Sequence, residues 1–372
     1  MKELICVISL AFIGFQNVYA YHIGNADLKI NTSVTETYDD NITYASTDAK
    51  KDYIANLLLG ADLDYEGKTN SLAFSGNLKY ENFADNASFN NLAEDFSAIY
   101  RQELSKFDRF SVRNAFIHAE EPRSFEDEFG RNSGRYAYFR NIVTAGYSRD
   151  VSRNMAINAD YTNEIDTYSR SDLSDTYLNA IGLGAEYTIS SQTILLAGYN
   201  FSVRKFDPGT DATTNALSAG IRQYFTKQLF LEGKAGIDFI RSYDKKNYAR
   251  PLFSLSLADE VNETTKFNLS FKKEYFNNAY SQDLFNEWRI SAGLNKQLLA
   301  RLGSNISAFY GNGEYVESGT SDNLRGINCG FDYDLRDNIK VNLNYVYSET
   351  SSNVSTREYK RNAVSLGVKV DF

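Results

Sequence analysis

Histidine, cysteine, tryptophan, methionine and proline are all scarce. The 372 residues hold two, two, one, two and three of them. With His22 and His118 as the only imidazoles and so few thiols, no His/Cys metal cluster can be assembled, and no cofactor is expected. Outside the first twenty residues no apolar run approaches the roughly 18 residues of a membrane helix, which excludes a helical membrane protein. A surplus of positive charge is missing too. The net charge of −9 argues against nucleic acid or anionic lipid as a partner held by a basic surface. What is abundant is tyrosine (27) and phenylalanine (25). A mean hydropathy of −0.43 beside a 42% hydrophobic content describes short apolar stripes interleaved with polar residues.

The N-terminus reads as a targeting segment. Lys2 precedes an apolar run from Leu4 to Phe15, and Val18-Tyr19-Ala20 has the small-x-small form of a cleavage site, although Glu3 is atypical there. The expected organisation is a signal peptide over 1–20, a short lead over 21–25 in which His22 is mobile, and one barrel over 26–372. Cleavage removes Cys6 and leaves Cys329 alone, so no intrachain disulfide is expected.

The last eleven residues set the pattern for the rest. Val364, Leu366, Val368, Val370 and Phe372 fall on one face of a period-two strand, and Ser365, Gly367, Lys369 and Asp371 on the other. The same alternation recurs in Leu72-Phe74-Leu78-Tyr80, in Met155-Ile157-Ala159-Tyr161, in Leu195-Ala197-Tyr199-Phe201 and in Ile339-Val341-Leu343-Tyr345. About 18 such strands fit between residues 26 and 372, with 16 as the alternative. The weakest are 53–65, apolar on both faces, and the stretch around 251–257.

Short connections (66–70, 105–108, 149–154, 190–192, 226–228, 336–338) alternate with longer ones (39–50, 119–135, 167–174, 207–214, 314–322, 349–356). This predicts an all-β, up-and-down antiparallel transmembrane barrel with short periplasmic turns and longer extracellular loops. Both termini fall on the periplasmic side. Pro122 and Pro208 lie in outer loops and Pro251 at a strand start, as ladder geometry asks. Aromatic residues predict two girdles, the outer including Tyr80, Tyr100, Phe116, Phe239 and Tyr275, the inner including Phe110, Tyr147, Tyr187, Tyr333 and Phe372. A β-propeller of nine 40-residue units finds no supporting signature.

The opposite parity faces the lumen and carries the charge. Arg101, Arg113 and Arg140 fall on three consecutive strands, then Asp160, Glu164 and Glu186 on the next two. Arg222, Lys234, Asp238, Lys272, Glu287, Arg289, Asp332, Lys340 and Arg361 follow. A midplane Arg or Lys against lipid costs about 2–4 kcal/mol, so these groups line water or pair with one another. The loop 119–135, third from the N-terminus, carries Glu120, Glu121, Glu126, Asp127 and Glu128. Folded inward, it would narrow the lumen as in general porins and face Arg101, Arg113 and Arg140; the plainer expectation is a solvated outer loop. Carboxylates in the outer loops suit at most weak calcium binding. His118 lies at a rim on the lipid side, followed by Ala119, Glu120 and Glu121 rather than by a serine, so no catalytic set forms around it.

The first strand runs T-E-T-Y-D-D-N-I over residues 35–42 and, with Phe372 as an aromatic carboxy-terminal residue, resembles the β-barrel porin 2 group of Gram-negative outer-membrane proteins. The resemblance implies an outer-membrane location, outer-membrane lipid and lipopolysaccharide as surroundings, and no catalytic residues. It also implies recognition of the terminal strand by the assembly machinery, and polysaccharide as a further partner, since such barrels accompany exopolysaccharide loci. The functions in view are a channel for small hydrophilic solutes or for exopolysaccharide export, a structural or surface-attachment barrel with a plugged lumen, and, least supported, a membrane enzyme.

Overall fold

A computed structural model describes residues 21–132 and 134–372; the leader expected over 1–20, with Cys6, lies outside the described residues. Its strands form one antiparallel sheet. A short arm, β1 (Tyr21–Ile23), folds back on the start of β2 (Ala26–Asp39). From there the chain runs up and down through β3 (Asp52–Glu66), β4 (Asn70–Phe83), β5 (Asn91–Glu103), β6 (Asp108–Ala119), β7 (Tyr138–Asp150), β8 (Met155–Tyr168), β9 (Asp175–Ser190) and β10 (Thr193–Asp207). It continues through β11 (Asp211–Tyr224), β12 (Phe230–Arg241), β13 (Asn247–Asn262), β14 (Thr265–Asn277), β15 (Leu284–Leu299), β16 (Leu302–Tyr315), β17 (Ser321–Arg336), β18 (Ile339–Ser352) and β19 (Tyr359–Asp371). Each strand pairs with the next in sequence, and β19 pairs with β2 from Ala363↔Asp39 to Asp371↔Asn31, so β2–β19 close an 18-stranded barrel. Phe372 seals the seam, its N–H donating to the Ile30 carbonyl at 2.8 Å.

Period two decides which side chains meet which medium. Leu57, Leu183, Leu217, Leu343 and Leu366 are about half exposed on the outer face of the wall, while their sequence neighbours point inward. Buried residues concentrate at the end with the longer loops, here called the outer end. Ile54 of β3 packs there on Ile42 and Phe83. Ile54 is apolar on the inner face of β3 because Ile42 of the 40–51 loop folds down onto it.

Three local expectations change. Tyr100 belongs to the inner aromatic level, because β5 runs from the outer to the inner end and Tyr100 pairs with Leu72 near the start of β4. Pro251 is the fifth residue of β13 rather than its first. It is tolerated because the β13–β14 ladder begins only at Phe253↔Lys273, leaving the proline nitrogen on an unpaired edge. His22 is not a free tail; it lies in β1 and meets the Asp27 carboxylate through Nδ1.

Leu366 sits mid-strand on the lipid face and Ser365 beside it faces inward. Leu366→Arg is expected to destabilise the barrel by about 2–4 kcal/mol, and Ser365→Arg by less than half as much. Denaturant titration of the barrel refolded in liposomes measures both.

Candidate functional site: an inward loop and the charged lumen

The connection between β6 and β7, residues 120–137, is not a solvated outer loop. It crosses the lumen. Its centre is one helical turn, Phe125–Glu128, capped at Ser124, whose Oγ accepts the Asp127 N–H at 3.0 Å, while the Asp127 carboxylate accepts the Arg123 N–H at 3.0 Å. Phe125 and Phe129, four residues apart, lie on one side of that turn. They enter a cluster with Phe285 of β15, Phe309 of β16 and Leu324 of β17. These strands lie across the ring from β6 and β7. Ring centroids of Phe129 stand 5.5 Å from those of both Phe285 and Phe309. The wall is cut away to receive the loop: a Cβ at Gly326 would meet the Phe125 ring at 2.4 Å. After the turn, Gly130 reverses the chain at φ +74°, a conformation that suits only glycine well. Its carbonyl accepts from the Tyr315 hydroxyl and from Asn278 Nδ2 at 3.3 Å.

Ion pairs hold the loop on its other sides. The buried Arg135 guanidinium bonds Glu120 at 2.8 Å and Glu81 of β4 at 2.7 Å. Glu121 meets Lys79 at 3.2 Å and Arg361 at 3.7 Å. Burial alone would raise the Glu121 carboxyl, but Lys79, Arg135 and Arg361 hold it well below the usual carboxylate range. Asp127 reaches Arg140 at 2.6 Å, and burial again loses to that guanidinium, so its value is lowered. Glu126 accepts from Ser291 Oγ at 3.1 Å, and Glu128 from the Tyr359 hydroxyl. For Glu128 burial wins and its value is raised. A second inward loop, 278–283, completes the crossing: the Tyr280 hydroxyl accepts from Arg140 and donates to Asp127, at 3.2 and 3.3 Å.

The lumenal charges divide into paired and unpaired groups. Toward the outer end they cross-link the wall: Arg140 with Asp166 at 2.5 Å, Arg204 with Glu164 at 2.8 Å, Arg289 with Glu287 at 3.0 Å, and Arg361 with Asp39 at 2.8 Å. Lys272 pairs with Glu274. Other pairs lie nearer the inner end, where Arg222 bonds Glu232 at 2.7 Å and Glu186 at 3.6 Å, Lys234 joins Glu232 at 2.8 Å and Lys340 meets Asp334 at 3.6 Å. Toward the inner end a cavity of about 790 Å³ is lined by Arg101, Arg113, Asp160 and Asn158 among others. Among the described residues neither Arg101 nor Arg113 has an ion-pair partner, nor do Asp160, Asp238 and Asp332. Of the three arginines set against the acidic loop, only Arg140 touches it.

Phe125, Phe129, Arg135 and Tyr280 are functional parts that the sequence reading passed over. The two phenylalanines did carry a signal, because aromatic residues at i and i+4 in an acidic loop mark a face that must pack.

Fold and lumen together define a porin-like transmembrane barrel of the outer-membrane kind. The family described as putative beta-barrel porin 2 matches residues 286–372, from within β15 to the C-terminus. No curated protein matches the sequence. Among solved structures, OccK2 (OpdF) of Pseudomonas aeruginosa has the same fold, at a TM-score of 0.51 and 9% identity over 94% of this chain and 98% of that one. OccK11 (OpdR) of the same bacterium aligns at a TM-score of 0.49 and 14% identity, over 96% and 99% of the two chains.

Two outcomes test the seat of the loop. Removing one partner of a buried pair costs about 3–5 kcal/mol, so Arg135→Met is expected to free the loop for tryptic cleavage at Arg123 and Arg131 while the barrel keeps its folded gel mobility. Glu128, raised above 4.5, favours the seated loop while protonated, and that contribution is lost as pH rises through the raised value. Asp127, lowered below 3.8, acts only at more acid pH. Loop openings, counted as flickers in single-channel records, should therefore increase as pH rises above the ordinary carboxylate range, and Glu128→Gln should remove that increase.

Proposed function

We propose that this protein is an outer-membrane channel for small hydrophilic solutes, narrowed by the inward loop 120–137. The observation that carries the reading is the loop's position: it spans the lumen from β6 and β7 to β15–β17, above a polar cavity with unpaired guanidinium groups. A barrel of this strand number encloses a lumen wide enough for water, and a strut across it sets the size of what passes. Exopolysaccharide export fits less well, because a polymer needs a continuous bore and the outer end is tied across. In this reading the leader exports the chain, the outer face meets lipid and lipopolysaccharide, and the strand ending at Phe372 is what the assembly machinery engages.

The second reading, a structural or surface-attachment barrel with a plugged lumen, draws support from the same interlocked outer end. Conductance separates the two. Refolded residues 21–372 in a planar bilayer are expected to give small, stable steps, and Phe125→Ala/Phe129→Ala, which removes the aromatic anchors of the strut, steps several-fold larger. Arg101→Glu and Arg113→Glu are expected to move ion selectivity toward cations. A folded barrel that stays silent even without the anchors would leave only the plugged reading standing.

A further inference from the structure

Four of the strands that run from the inner to the outer end carry asparagine at the same depth. Asn158 of β8, Asn268 of β14, Asn305 of β16 and Asn342 of β18 are each the fourth residue of their strand and face the lumen. The register sets each opposite a glycine of the following strand, respectively Gly184, Gly293, Gly330 and Gly367. A Cβ at these glycines would stand 2.4, 2.4, 2.5 and 2.6 Å from the facing amide, so each amide lies flat over bare backbone. Asn31 of β2, which also faces the lumen opposite a glycine, instead donates to Asp62 at 3.3 Å. The side chains of these four make no hydrogen bond to another described residue, and their donors and acceptors stay open to the lumen.

On β14–β16 the arrangement becomes a site. Directly below the tip of the inward loop lies a cavity of about 350 Å³, walled by Asn268, Asn295, Asn305, Ser291 and Ser307 and roofed by Phe125 and Glu126. Its volume falls in the range of small-ligand clefts, roughly 300–1,000 Å³. Glu126 is its one charged lining residue. Amides and hydroxyls each offer donors and acceptors at close spacing, which matches a ligand whose own groups do the same. A carboxylate accepts from hydroxyls and repels anions, and a phenyl face covers the C–H side of a ring. The unpaired arginines that would attract an anion lie on β5 and β6, across the lumen from this cavity.

We propose that this amide-lined cavity binds a neutral, polyhydroxylated solute of about monosaccharide size on its way through the lumen. The proposal rests on the channel reading and deepens it by naming the solute class. The test uses the refolded barrel with glucose, glucuronate and a polyethylene glycol of similar size as probes. Glucose should reduce the ion current saturably, and glucuronate and the glycol only in proportion to concentration. Asn268→Leu/Asn305→Leu, which keep the branching at Cγ but carry no hydrogen-bonding group, should weaken the glucose effect at least ten-fold while potassium chloride conductance stays within two-fold. Asn158→Leu, at the same depth but outside the cavity, should leave the glucose effect unchanged. Equal blocking by all three probes, or an equal loss in Asn158→Leu, would overturn the proposal. Calorimetry of glucose on the detergent-solubilised barrel separates the two claims. Saturable heat that is lost in the double variant, from a barrel that passes no current, would refute the channel and uphold the site; absence of heat from a conducting barrel would refute the site alone.

Discussion

In hydrocarbon no peptide N–H or C=O can be left without a partner, and every other feature of this molecule follows from that constraint. Strands satisfy it only by pairing on both edges, so the sheet must close, and β19 must find β2. The ladder that does so ends in the bond between Phe372 and Ile30. Once eighteen strands have closed, the enclosed space is too wide for wall side chains to fill. The loops 40–51, 120–137 and 278–283 turn inward and build the packed interior that the wall lacks, with Phe129, Phe285 and Phe309 at its centre.

The same closure sorts the charges. Groups on the lumenal parity escape lipid but do not all reach free water. Where the loops descend, Arg135, Arg140, Arg204 and Arg361 are used up in pairs with carboxylates of the wall or the loop. Below the loops, Arg101 and Arg113 keep their charge exposed to solvent. Walls cross-linked by salt bridges and walls that carry unpaired charge are therefore both present in one barrel.

The wall was legible in the sequence because period two is a local signal, and it survives even in Val364–Phe372 at the chain's end. Direction was less legible. Tyr100 went to the wrong rim because alternation does not say which way a strand runs. The lumenal parity of Arg140 could be read, but not that it reaches Asp127 while Arg113 does not, since that depends on how far the loop descends. The pairing of Asn305 with Gly330 was invisible for another reason: each residue is unremarked in its own strand, and only the register brings them together.

The strut has a consequence for how the molecule comes into being. Glu126 meets Ser291 across 165 positions of sequence, and Glu128 meets Tyr359 across 231. The surface that residues 120–137 rest on exists only once β15–β19 have joined the sheet. Contacts of such separation form late, after the entropy of closing a long loop has been spent. The wall can therefore pair ahead of its strut, and the crossing segment can settle only once the strands that seat it stand opposite.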